Sequence, residues 1–292
     1  MSRETENLLK KFTEYIGDKD LSEAELQQAL NEFFDLENKD REESLDYLEM
    51  AYQAENEDLA LEFAMKALET DKDCLDAEIL LIQLSSDGPE DVKIEYEALI
   101  KKTEDCFKEE GLLDKENIGS FWGILETRPY MRLRYAYLML LITMGKFTKA
   151  ISECEDLLSL SENDNLGIRY IRIGLYALYE DEKRAMKLYK KHQEGTMGIL
   201  LPMVAMYYKI DNYVKAEKYL VQLSEAYSSL RDFFLNLDEY DEATMNEIAE
   251  AGVYAHDSKE EIIITLSQNP YLYSTTGTFF MWIIEKLLEM EK

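Results

Sequence analysis

The feature that most constrains this chain is a recurring helical spacing of small and apolar residues. Ala150 is followed at four and seven positions by Cys154 and Leu157. Ala185, Tyr189 and His192 repeat that 0/4/7 spacing 35 residues later, and Ala216, Leu220 and Leu223 repeat it 31 residues after that. Ala60, Ala64 and Ala67 form an earlier, isolated copy. Residues at these offsets share one face of a helix, and a self-similar period of about 34 residues marks stacked helical hairpins. The remaining chain also reads as helix. Leu8, Leu9, Phe12 and Ile16 mark a first amphipathic segment stopped by Gly17-Asp18, and Ser22-Glu23-Ala24-Glu25 has the form of a capping box. EEIIITL at 260–266 is the one β-rich run, and its charged lead-in suits a helix start equally well.

Turn residues are scarce, with 12 Gly and 4 Pro in 292 residues, which disfavours sheet architectures. The expected class is therefore all-α: an antiparallel helix-pair solenoid with irregular terminal helices. Four stretches divide it. These are an N-terminal helical cap at 1–38, degenerate repeats at 39–120, the best-matching repeats at 121–225 and a C-terminal helical cap at 226–292.

The segment RLRYAYLMLLITMGKFTKAISECEDLLSLSENDN (132–165) places Gly145 before the turn, Phe147 after it and Ala150 on the second helix. This resembles the tetratricopeptide-repeat (TPR) family, in which small residues let the two helices of a unit approach closely. The match is good over 131–225 and moderate over 42–75, and Glu162 stands where a unit-ending proline is usual. GSFWGILETRPYMRLR (119–134), NDNLGIRY (163–170) and NPYLYSTTGTFFMW (269–282) resemble bacterial cytoplasmic TPR proteins of uncharacterised role. The resemblance implies a right-handed superhelix whose first helices line a concave groove; it implies no activity.

The formal charge of −29 argues against nucleic acid and against an anionic membrane face as partners. It is unevenly spread: residues 1–120 carry −22, residues 121–193 carry +3 and residues 194–292 carry −10. Three cysteines without a C-x-x-C pair point to reduced thiols rather than a disulfide or thiolate-metal framework. The opening MSRETENLLKK lacks a signal-peptide core, and runs such as ILLPMVAMYY at 199–208 are shorter than the ~20 residues that span a bilayer. A cytoplasmic location is expected.

The central segment holds the candidate site, since five of nine arginines fall between Arg128 and Arg172. Superposing Ala150 on Ala185 places Arg134-Tyr135 over Arg169-Tyr170, and Gly174 over Met139. Arg132, Tyr135, Tyr170 and Gly174 are the groove candidates, because arginine forks and aromatic faces suit an extended, acidic peptide. Arg134 and Arg169 read as internal, paired with Glu126, Glu153 or Asp164. Phe121 and Trp122, flanked by glycines, are either an exposed anchor for a partner or a plug between helices. Asn163-Asp164-Asn165 reads as a helix cap.

Two histidines, no glycine-rich phosphate loop and no nucleophile elbow leave catalysis with no residues to point to, so neither a catalytic set, a metal nor a cofactor is expected. The expected role is a non-catalytic scaffold or adaptor binding another protein or peptide. The alternative is a peptide-sensing regulator that docks a transcription factor or response regulator; an enzyme ranks last.

Overall fold

The computed structural model describes residues 3–17, 19, 21–37, 44–192 and 195–290. The described residues contain no β-strand and fold as α-helices, most of them joined by short turns, with a longer connector at 110–127. Two compact units divide the chain, Met1–Asn163 and Asp164–Lys292.

The first unit holds α1 (Arg3–Ile16), α2 (Glu23–Glu37), α3 (Ser44–Tyr52), α4 (Glu57–Thr70), α5 (Leu75–Ser85), α6 (Pro89–Glu109), α7 (Arg128–Thr143) and α8 (Phe147–Leu160). Its helix ends follow local chemistry. Gly17 closes α1 in the left-handed region at φ +55°, a conformation glycine adopts without a Cβ clash. Glu25 accepts from the Ser22 amide at 2.9 Å, and Asn56 accepts from the Leu59 amide at 2.9 Å, so orphan amides at the starts of α2 and α4 are satisfied. Packing follows chain order, with α3 on α4, α4 on α5, α5 on α6, and α7 against α5, α6 and α8. Ala64 and Ala67 are fully buried in a core with Leu48, Ala51, Ala77 and Leu80, and Ala150 with Cys154 is sealed equally completely on α8. The connector before α7 is fastened to the end of α8, since the Gly119 amide donates to Leu160 O at 3.1 Å and the Glu162 amide donates to Gly119 O at 2.9 Å.

The second unit holds α9 (Ile168–Leu178), α10 (Glu182–His192), α11 (Met197–Lys209), α12 (Tyr213–Ala226), α13 (Ser229–Leu235), α14 (Glu242–Ala251), α15 (Lys259–Gln268), α16 (Pro270–Ser274) and α17 (Phe279–Glu289). Its centre is α11, in which every residue from Met197 to Tyr207 is buried. Helices α9, α10, α12, α15 and α16 all contact it, which explains why this segment is apolar around its whole circumference rather than on one stripe. Ala185 on α10 and Ala216, Leu220 and Leu223 on α12 are fully buried. The run 260–266 is helical within α15, started by Ser258, whose hydroxyl accepts from the Glu261 amide at 3.2 Å. Among the described residues no helix is long and apolar enough to cross a membrane.

Candidate functional site

Helix α7 enters through a connector that is packed from within. Phe121 is fully buried, with its ring edge-on to Phe107 and Tyr130 at centroid distances of 6.3 Å each. Trp122 is half-buried, its ring 5.7 Å from the Arg128 guanidinium while Arg128 Nε donates to the Trp122 carbonyl at 2.8 Å. Of the aromatic pair, Phe121 is therefore a plug and Trp122 is held at the surface by a neighbouring cation.

Arg134 is buried and bidentate on Glu153, with Nε to Oε1 and Nη2 to Oε2 at 3.0 Å. Its remaining donors reach the Tyr130 hydroxyl at 2.7 Å and Asp156 at 3.2 Å. Burial pushes the Glu153 carboxyl above the ordinary range, and the guanidinium opposes that shift. Glu126 takes no part in this pair and stands exposed. Tyr135 is half-buried, and burial raises its phenol.

In the second unit, Asp164 adopts φ +50° and accepts from the amides of Ile168 at 2.7 Å and Arg169 at 3.0 Å, capping α9. The same carboxylate holds Arg169 at 2.9 Å. Arg169 in turn donates to the Tyr170 hydroxyl at 2.6 Å, its guanidinium 4.2 Å from that ring. The Tyr170 ring lies so close to Gly198 that a Cβ there would come within 2.6 Å of it. A Cβ on Gly174 would meet Asn269 Oδ1 at 1.9 Å, so the close approach at this glycine comes from the chain's own C-terminal segment. Tyr170 and Gly174 are thus occupied by internal packing.

Arg132 has a different setting. It faces a cavity of about 560 Å³ within the first unit, formed by α3, α5, the C-terminal half of α6 and the start of α7. Apolar walls come from Leu45, Leu48, Tyr52, Leu75, Phe107 and Leu125. Arg132 grips Asp76 through both oxygens, at 2.7 and 2.5 Å. Lys102 is bound to Glu78 at 2.8 Å. Glu126 is on the wall, as is Cys106, the exposed member of the three thiols. A cavity of this size, with apolar walls interleaved with charged side chains, has the form of a ligand site.

Of the residues singled out from the sequence, Arg132 and Glu126 are brought together here. Tyr135 and the buried Arg134 pair lie elsewhere on the same unit. Sequence reasoning missed the walls from α5 and α6, because residues 76–120 show helical periodicity without a readable register, and it missed α3 because the search for a site was confined to the arginine-rich centre. No family model matches the chain, and none of the curated proteins is similar to it.

Proposed function

We propose that this chain is a TPR-like, non-catalytic interaction scaffold whose first unit holds an extended segment of a partner protein. The cavity between α3, α5, α6 and α7 is the observation that carries this reading. Helices α3, α5 and α7 stand in the place of the first helices of successive hairpins, and α4, α6 and α8 in the place of the second. The short turns between members of a pair favour antiparallel neighbours, and the buried alanines at 0/4/7 spacing permit their close approach. First-helix residues supply half of the walls, and first helices are where repeat solenoids present their binding surface. The wall residues offer carboxylates, a lysine and an arginine already paired, and a thiol. Such a set can hold a charged and apolar segment through ion pairs and contact.

Cys106 supplies a test that leaves the sequence intact, because Cys74 and Cys154 are buried. Peptides selected on the full chain from a random library should lose binding once Cys106 carries a bulky maleimide. The Cys106→Ala variant, treated identically, should keep it. Equal binding to the blocked and unblocked protein would remove the cavity from consideration.

A further inference from the structure

Within that reading, and resting on it, we infer that the segment held in the first-unit cavity is basic: lysine or arginine side chains interleaved with apolar ones. Arginine in the central segment invites the opposite expectation, an acidic ligand. The geometry reverses it. Six carboxylates line the cavity against two cations, and both cations are committed, Arg132 to Asp76 and Lys102 to Glu78. Glu49, Asp73, Glu110 and Glu126 remain, and among the described residues none of these four forms an ion pair.

Their placement argues for a chain segment rather than a single amine. Glu49 comes from α3, Asp73 from the turn before α5, Glu110 from the end of α6 and Glu126 from the connector into α7. Four separate elements spread the charge around the cavity, so one ammonium group cannot answer all of them. Between them lie Leu45, Leu48, Tyr52, Leu75, Leu125 and Pro129, which recover free energy only from apolar side chains. A segment alternating cations with apolar residues matches both parts of the surface. Like charges on the wall would reject an acidic segment, which gives the site its selectivity.

The experiment uses the full chain and three fluorescein-labelled synthetic peptides of equal length, alternating Lys-Leu, Glu-Leu and Ser-Leu, followed by anisotropy. Two double variants remove the same charge: Glu49→Gln with Glu126→Gln in the cavity, and Glu55→Gln with Glu69→Gln on exposed positions outside it. The Lys-Leu peptide should bind the wild type and the outer variant alike, bind the cavity variant about tenfold more weakly, and weaken with added salt. Equal loss in both variants would mean that the peptide senses only net charge, and overturns the inference. Preference for Glu-Leu or Ser-Leu, abolished by the Cys106 block, would overturn the basic assignment while leaving the cavity as the binding site. Binding of every peptide unaffected by that block would bring down the cavity reading itself.

Discussion

Asn269 fills the position that a side chain on Gly174 would take: a Cβ built there lies 1.9 Å from its Oδ1. The amide is fully buried, donates to the Tyr170 carbonyl at 3.2 Å and accepts from the Tyr271 hydroxyl at 2.5 Å. A glycine in mid-helix costs about 1 kcal/mol relative to alanine, so on propensity alone Gly174→Ala would stabilise. The contact decides otherwise. Displacing a satisfied, buried amide should make Gly174→Ala destabilising by about 2 kcal/mol in urea unfolding. In an Asn269→Ala background the same change should cost far less. Additive effects would show that the two positions are uncoupled.

Arg134 and Glu153 are both buried, so removing one partner strands the other. Arg134→Met should cost about 3 kcal/mol at neutral pH. Burial favours the protonated Glu153 carboxyl, raising its folded pKa above the unfolded one once the guanidinium is gone. That group's contribution is then retained at low pH and lost as the pH rises through the folded pKa. The deficit of the variant should therefore shrink on acidification from pH 7 towards ~5, a direction that denaturation at two pH values reads directly. Adding Glu153→Leu should restore much of the loss.

Asp257 accepts from the Ser229 amide at 2.9 Å and the Ser228 hydroxyl at 2.5 Å, tying the segment before α15 to the start of α13. Those bonds hold its carboxyl down at about 2. A depressed folded pKa contributes stability above the unfolded aspartate value, and that contribution is lost as the pH falls through about 2. Wild type should exceed Asp257→Asn in stability at pH 6, with the gap closing between about pH 4 and 2. Solvent screening keeps the gap small, so the shape of the difference is the readout rather than its size. A constant gap would discount the ionised form.

Ala150 is sealed on α8, whereas Ser152 on the same helix is exposed. Ala150→Leu should lose about 1–3 kcal/mol through overpacking, while Ser152→Leu should stay within about 0.5 kcal/mol of wild type. Similar thermal midpoints for the two variants would deny the alanine its packing role.

Helix placement was legible from the sequence because helical periodicity and capping are local. The 0/4/7 faces that begin at Ala60, Ala150, Ala185 and Ala216 need only a few turns of chain to declare themselves, and each of those alanines is buried. Arg134 and Glu153, 19 positions apart, stand on adjacent helices and could be named in advance as members of one hairpin. Gly174 could be flagged as a place of close approach, because a mid-helix glycine is locally costly.

What approaches it could not be read. Asn269 reaches this helix through packing that brings together residues 99 positions apart, as its bond to Tyr170 shows. The cavity has the same origin. Its walls come from helices spread over 45–132, two of them in a stretch of unreadable register, and they become neighbours only when α3, α5, α6 and α7 pack. The sign of the site was decided there too. Arg132 is a cation in the sequence, but folding sets Asp76 against it from 56 positions away and neutralises it. The sequence determined which residues form helices and, at the repeated alanines, which faces they bury, since those preferences are local. Only the tertiary structure decided which charges remain uncompensated, because compensation depends on partners that distant parts of the chain supply.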